Sequence, residues 1–377
     1  MFIPPLSLYI HIPWCIKKCP YCDFNSYKLL QSDSQEKYIK HLIQDLKNDI
    51  QVIHNRKINT IFIGGGTPSV IHNDLMKYFL KKIKKILSIT KKIEITIEVN
   101  PENITLEKIL DYITCGINRI SFGVQSFNTK ILQSIGRTHS VQKTINMLQE
   151  IKKYTNINFN IDLMYGLPEQ TLQHCLSDLE AAISINPNHI SWYQLSIEKN
   201  TVFYYQTPNL PKENKIWKMY HQGNKLLITS GYLRYEISSY TKKKNFCLHN
   251  LNYWKFGDYI GIGCGAHGKL TQKNGDIIRI TKKKKIYQYY NNQKKYVEKI
   301  HKIQDIDKPT EYFMNVFRLF QPIKKKNFKL YTNLNLKYIS KNIQKAISKK
   351  YIFQSKKYWY VSQKGKNFLN NLIMLFM

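Results

Sequence analysis

A chain of 377 residues with 43% hydrophobic content is long enough for one large core and a smaller one, and it predicts two domains. Its formal charge of +33 would ordinarily point to nucleic acid or an anionic surface. The lysine runs Lys282 to Lys285 and Lys324 to Lys326 instead sit among Asn, Ile and Tyr, a bias found along the whole chain. No RNA- or DNA-reading motif accompanies the charge, so it reads as solvated surface and no nucleic-acid partner is expected.

The seven cysteines are an odd number, and Cys115, Cys175, Cys247 and Cys264 are scattered singly through periodic segments, which argues against a disulfide framework. No basic leader precedes the first apolar residues, and the apolar end "NNLIMLFM" falls short of the ~20 residues needed to span a bilayer. The expected compartment is the reducing cytoplasm, where clustered thiols bind metal or catalyse.

In chain order, six apolar runs read as strands: "LSLYIHI", "NTIFIGGG", "KIEITIEVN", "NRISFGVQ", "NFNIDLMYG" and "HISWYQLSI". Between them, apolar residues at three-to-four spacing predict helices over Ser34 to His54, Asn73 to Leu87, Leu106 to Thr114, Val141 to Tyr154 and Leu172 to Ser184. Asn73, Thr105 and Thr171 stand at helix starts. Such strand-helix units build either a partial barrel or an open doubly wound sheet, and in both the ligand gathers at the carboxyl ends of the strands. The polar residues obey that rule: a cysteine cluster follows the first strand, Gly64 to Thr67 the second, and Glu98 and Asn100 end the third. Gln125 follows the fourth, Asp162 lies in the fifth, and Gln194 and Ser196 lie in the sixth.

After Gly231 the alternation is lost. "YLRYEISSY" and "DYIGIGCGAHG" read as strands or loops added beside the barrel, with "HNLNYW" between them. From about Asp305 the pattern is helical, ending in "YIFQSKKYWYVSQKG", a hairpin with a short helix. The predicted division is 1–232 for the core barrel, 233–304 for its extension and 305–377 for a small winged-helix-like domain.

The stretch "CIKKCPYCDFN" places Cys15, Cys19 and Cys22 on one compact loop. A structural zinc site wants four ligands, usually as separated pairs, and a fourth is missing. An iron-sulfur cluster held by three thiolates would instead keep one iron open.

This spacing, after the first strand and with "GGGTP" after the second, resembles the radical S-adenosylmethionine (SAM) superfamily. The resemblance implies a partial (β/α)6 barrel and a 4Fe-4S cluster on Cys15, Cys19 and Cys22, with SAM's amino and carboxylate groups on the open iron. It also implies reductive cleavage of SAM to a 5'-deoxyadenosyl radical. Gly65, Gly66 and Thr67 are expected to let the backbone approach SAM and offer it N–H groups. Tyr9, Glu98, Gln125, Arg137 and Asp162 coincide with the family's SAM-contacting pattern.

The blocks "YIHIPWCIKKCPYCDFNS", "IFIGGGTPS", "IEVNPE", "ISFGVQSF", "IDLMYGLP", "YEIS" and "HNLNYW" resemble the HemN/HemW group over nearly the whole chain. That group holds oxygen-independent coproporphyrinogen III oxidases, or dehydrogenases, and haem chaperones that deliver haem to respiratory apoproteins. Three features lean to the chaperone: Phe24 where the oxidase motif typically adds a cysteine, a first strand beginning by about Leu6 without the oxidase extension, and the HNxxYW segment. The expectation is a chaperone without coproporphyrinogen oxidase activity, binding haem through His249, Asn250, Tyr253 and Trp254, with Cys247 and His267 as alternative iron ligands. Its clients would be respiratory apoproteins, some at the membrane surface, and a homodimer is left open. The runner-up is the dehydrogenase; an RNA-modifying radical enzyme is a third class.

Overall fold

The computed structural model describes residues 2–30, 34–53, 56–291 and 295–377. All six apolar runs are strands: β1 (Leu6–Ile12), β2 (Ile58–Gly65), β3 (Ile89–Val99), β4 (Arg119–Gln125), β5 (Asn158–Tyr165) and β6 (His189–Gln194). They lie side by side in chain order, each neighbouring pair parallel. An order with no reversal is that of a barrel wall, whereas a doubly wound sheet reverses at a switch point. The runs are almost continuously apolar because both faces are covered; in β1 only Tyr9 escapes full burial. Each fully buried Leu or Ile there stabilises the fold by roughly 1.5–3 kcal/mol. Ser196, predicted within the sixth strand, lies beyond its end.

The helices between the strands are α1 (Gln35–Ile53), α2 (Asn73–Ile86), α3 (Leu106–Thr114), α4 (Val141–Tyr154) and α5 (Leu172–Ile185). The predicted end of the first, His54, is outside the described residues. Burial follows the 3.6-residue period: α2 turns Met76, Phe79, Leu80 and Ile83 inward, and α4 Thr144, Met147, Leu148 and Ile151. Thr105 and Thr171 are N-caps, the latter in a reciprocal capping box with His174. Asn73 is not a cap but the first helical residue; its amide donates to Asp111 on α3 at 2.8 Å.

After α6 (Glu213–Thr229), which packs on α5, the short strands β7 (Leu233–Arg234) and β8 (Ser239–Thr241) extend the β6 edge antiparallel. The "HNLNYW" segment is helical, α7 (Leu248–Trp254). It carries the chain from one edge of the sheet to the other. There β9 (Asp258–Ile262) pairs in parallel with β1, and β10 (His267–Thr271), β11 (Ile277–Lys282) and β12 (Val297–Lys302) add antiparallel ribs.

Beyond residue 305, helices at Lys308–Val316, Lys325–Thr332 and Ser340–Ser348 accompany a three-stranded sheet in which Ile352–Gln354 and Tyr358–Val361 form a hairpin. Phe313, Phe317, Phe328 and Trp359 are buried in a second core, which Phe256 and Ile277 join from the preceding segment.

Buried charge ties the added strands to the barrel. Lys282 on β11 donates to Asp45 at 2.6 Å and Asp49 at 2.7 Å, both on α1. Asp45 also accepts from the Gly263 N–H at 3.0 Å and the Tyr289 hydroxyl at 2.8 Å. Removing the ammonium leaves two carboxylates without their cation, and breaking such buried pairs typically costs about 3–5 kcal/mol. Lys282→Ala is therefore expected to lower the unfolding free energy by about that amount in urea titrations; a loss under about 1 kcal/mol would contradict this role for the pair.

Candidate functional site

The thiol loop begins where β1 ends. Trp14–Cys15 and Tyr27–Lys28 form a short parallel pair, so the loop leaves and returns at one place. It hangs on the end of β2 by two backbone bonds: the Gly66 N–H donates to the Ile12 carbonyl and the Thr67 N–H to the Trp14 carbonyl, both at 2.7 Å. The Thr67 hydroxyl adds a bond to the Cys15 sulfur at 3.4 Å. A Cβ on Gly66 would stand 2.6 Å from the Trp14 carbonyl oxygen and 3.0 Å from the Cys15 sulfur. Gly65, at φ +112°, would put one 2.6 Å from the His11 ring. The N–H groups of Gly66 and Thr67 are spent on the thiol loop, and that of Gly65 donates to Glu98 at 3.2 Å. The missing side chains make room for the loop itself.

The three thiols border a cavity of about 490 Å³ at the carboxyl ends of the strands, together with Gly65, Gly66, Thr67, Glu98, Gln125, Arg137 and Asp162. Among the described residues no three His, Cys, Asp or Glu side chains are grouped to hold a single ion. Three cysteines around a shared space suit a cluster in which each thiolate takes its own iron. The polar wall has the chemistry of a zwitterion site. Burial, reinforced by the charge of Asp162, pushes the Glu98 carboxyl up to about 8. Burial also raises Asp162, although Ser121 donates to it at 2.9 Å and Asn160 at 2.7 Å. Two carboxyls held toward neutrality would ionise more readily beside a cationic ligand. Arg137 donates to the Tyr21 hydroxyl at 3.4 Å, and its buried Nε has no partner, leaving a donor for an anionic group. Gln125 sits at φ +71° and accepts from the Tyr193 hydroxyl at 2.9 Å. Tyr21 and Tyr193, which orient these two side chains, were not singled out in the sequence. Tyr21 stands between two of the cysteines and Tyr193 on β6, and position was their only signal.

A second cavity, of about 550 Å³, adjoins the first; Asp23, Phe24 and Trp254 border both. Tyr9 faces this second cavity instead of joining the other expected SAM contacts. Its hydroxyl is committed to His11 Nδ1 at 3.0 Å, because His11 Nε2 donates to the Asn25 carbonyl at 2.9 Å and only its other nitrogen can accept. Phe24, 54% exposed, spreads its ring between the two spaces.

Of the four expected haem contacts, Asn250 borders the thiol cavity, Tyr253 the second, and Trp254 both. His249 borders neither. It is buried under α7, with Nδ1 2.8 Å from the Thr60 hydroxyl and Nε2 2.8 Å from the Tyr253 hydroxyl. A neutral imidazole has one N–H and one lone pair, and both are hydrogen-bonded here, which fastens His249 beneath α7. Glu94 accepts the N–H groups of Leu248 and His249, each at 3.0 Å, which satisfies the first turn of α7 and fixes it to β3. Cys247, the first alternative ligand, is also buried; His267, the second, is exposed on the rim of the second cavity.

Residues 9–182 match the Radical SAM superfamily and residues 303–368 the HemN C-terminal domain. Over its full length the chain is 51% identical to the haem chaperone HemW of Buchnera aphidicola from Acyrthosiphon pisum and 44% to that of Escherichia coli, covering 99% of each. It is 47% identical to the HemW of Haemophilus influenzae, covering 98% of it. The chain belongs to the HemW family of radical SAM proteins. The fold matches that of coproporphyrinogen III oxidase (HemN) from Escherichia coli, with a TM-score of 0.85 at 22% identity, covering 99% of this chain and 90% of that one. Membership of the radical SAM superfamily carries a 4Fe-4S cluster and SAM. Among the described residues no helix is long and apolar enough to cross a bilayer.

Burial sets a pH dependence for the fold around the site. It lowers His249 to about 3, and His11 and His139 each to about 4, from the ordinary 6.5. Folded-state values below the unfolded ones mean that the unfolded chain takes up protons first as pH falls, so the stability from these neutral imidazoles is complete above about 6.5 and is lost progressively toward 4 and 3. Urea midpoints measured from pH 7.5 to 4.5 should decline below 6.5, and less steeply in His249→Gln. A flat wild-type profile would show that these rings do not fold in neutral form.

Proposed function

We propose that this protein is a haem chaperone that also holds a 4Fe-4S cluster and SAM, and that it delivers haem to respiratory apoproteins, some at the membrane surface. The observation that carries the reading is the pair of adjoining cavities, one bordered by three thiols and the other by aromatic faces with Phe24 at the position where the oxidase motif typically has a cysteine. Full-length identity to relatives named haem chaperones supports it.

In this reading Cys15, Cys19 and Cys22 hold the cluster. The Gly66 and Thr67 backbone bonds fix their loop, and Glu98, Gln125, Arg137 and Asp162 orient SAM around it. When bound, the cluster and SAM supply one-electron chemistry at the open iron. The protein's part is to enclose that iron: Trp254 and Phe24 wall the thiol cavity from the second space and limit water between them. We assign 1–232 to the radical SAM core, 233–304 to its extension and 305–377 to a domain that docks the client.

The decisive experiment is a paired assay on anaerobically reconstituted protein. Haemin titration should give stoichiometric uptake, while incubation with reductant, SAM and coproporphyrinogen III should yield neither carbon dioxide nor protoporphyrinogen. Replacing Cys15, Cys19 and Cys22 together by Ala should abolish the cluster's EPR signal. Product formation from coproporphyrinogen would replace this reading with the dehydrogenase, and absence of haem uptake by the wild type would remove it.

A further inference from the structure

Of the side chains expected to meet SAM, only Gln125 sits at a positive φ. Where β4 runs beside β5 the register slips between Gly123 and Gln125, and Gln125 takes φ +71° there. Side chains rarely adopt that conformation, and it persists only where the surroundings hold it. Two holds are present. From behind, the buried Asp178 of α5 accepts from the Ser126 hydroxyl at 2.8 Å and from the Phe127 N–H at 2.6 Å, which fixes the backbone as it leaves the strand. At the tip of the side chain, the Tyr193 hydroxyl reaches across β5 from β6 and donates to Gln125 Oε1 at 2.9 Å.

What the second hold achieves is visible at Gly123. A Cβ built there would stand 3.1 Å from Gln125 Nε2, 3.7 Å from Arg137 Nη2 and 3.7 Å from the Val99 carbonyl oxygen. Because residue 123 has no side chain, two donors converge on an open space at the wall of the thiol cavity. Arg137 is steadied in turn by the Tyr21 hydroxyl at 3.4 Å. The rings of Tyr21 and Tyr193 pack on one small apolar cluster, with Ile131, Leu132, Met164 and Phe203, apart from the main core. Burial raises the Tyr193 hydroxyl well above its ordinary pKa, so it keeps the proton that it gives to Gln125. An amide that offers its oxygen to Tyr193 turns its nitrogen edge the other way. That edge suits the neighbouring Val99 carbonyl, whereas an oxygen edge would face another acceptor.

We propose that Tyr193 is a positioning residue for SAM, acting through Gln125: its hydroxyl turns the amide so that Gln125 Nε2 and Arg137 present paired donors over Gly123 to an acceptor group of the ligand. This rests on the SAM reading above and adds to it a residue outside the expected contact set. Packing in the small apolar cluster needs only the ring of Tyr193, whereas positioning needs the hydroxyl, so Tyr193→Phe separates the two uses. Without the hydroxyl, Gln125 Oε1 loses its partner and the amide is free to rotate about its last torsion. Asp178 still holds the backbone in place. The ligand must then order the amide as it binds, and the lost preorganisation appears as weaker affinity.

The test is a double-mutant cycle on the anaerobically reconstituted full chain, with SAM binding measured by isothermal titration calorimetry. Tyr193→Phe should leave the melting temperature and the iron and sulfide content as in the wild type, and weaken SAM binding by roughly five- to tenfold, the worth of one ordinary hydrogen bond. Gln125→Ala should weaken it at least as much. Adding Tyr193→Phe to Gln125→Ala should cost nothing more, because the group that Tyr193 positions is already gone. At saturating SAM, Tyr193→Phe should show the wild-type change in the EPR signal of the reduced cluster, since the cysteines are untouched. SAM affinity unchanged in Tyr193→Phe, or losses that multiply in the double variant, overturn the assignment. A wild type that binds no SAM defeats the SAM reading instead, so the two failures are distinguishable.

Discussion

The thiol loop is pinned to the sheet by hydrogen bonds from the backbone of residues 66 and 67 to the carbonyls of residues 12 and 14. They form because residue 66 has no side chain: any Cβ there would overlap the Trp14 carbonyl and press on the Cys15 sulfur. The shape of the thiol cavity follows from this constraint. With the loop so anchored, Cys15 is buried beside Thr67 while Cys19 and Cys22 project farther out, and the sulfurs stand around a space instead of a point. A loop free to collapse would bring thiols together as a single-ion site or a disulfide. The barrel prevents this by tying two adjacent strand ends into one rim.

Much of this was legible in the sequence for reasons that are local. A parallel strand covered on both faces must be apolar throughout, and a helix packed on it must repeat at 3.6 residues, so strands and helices announced themselves within a few residues of their bounds. The three cysteines lie within eight positions, and their proximity needs no tertiary information. Legibility failed where the outcome depends on a distant partner. Nothing in "DYIGIG" says that it pairs with Leu6–Ile10 at the opposite edge of the sheet. Nothing in "GGGTP" says that its N–H groups are claimed by carbonyls some 50 residues earlier. Nothing in "HNLNYW" says that its histidine meets Thr60, 189 positions away.

His249 also illustrates how a buried polar residue can fix the helix that borders two cavities. Thr60, Tyr253 and the backbone contacts of Glu94 hold α7 in one orientation. Buried polar groups of this kind are costly unless fully paired, which makes the pairing selective for a single placement of the helix. Tyr253 is thereby aimed with its hydroxyl inward and its ring toward the second cavity. Without that anchor a seven-residue helix would have little to determine which face it presents.

The orientation matters because α7 serves both spaces at once. Asn250 meets the thiol cavity, Tyr253 the second, and Trp254 stands between them with Phe24 opposite. On the helix, positions 250 and 253 lie about one turn apart, so rotation of α7 would withdraw both side chains together. Any ligand that presses on Trp254 from one cavity therefore acts on the wall of the other, through a ring whose indole nitrogen has no partner to hold it. A cysteine at residue 24 would bring a fourth sulfur to this partition; the phenyl ring instead supplies apolar surface to both sides. Two aromatic side chains on separate segments thus stand in the partition beside Asp23, one set by the thiol loop and the other by a helix fastened to β3, so a ligand in either cavity meets rings that the other cavity shares.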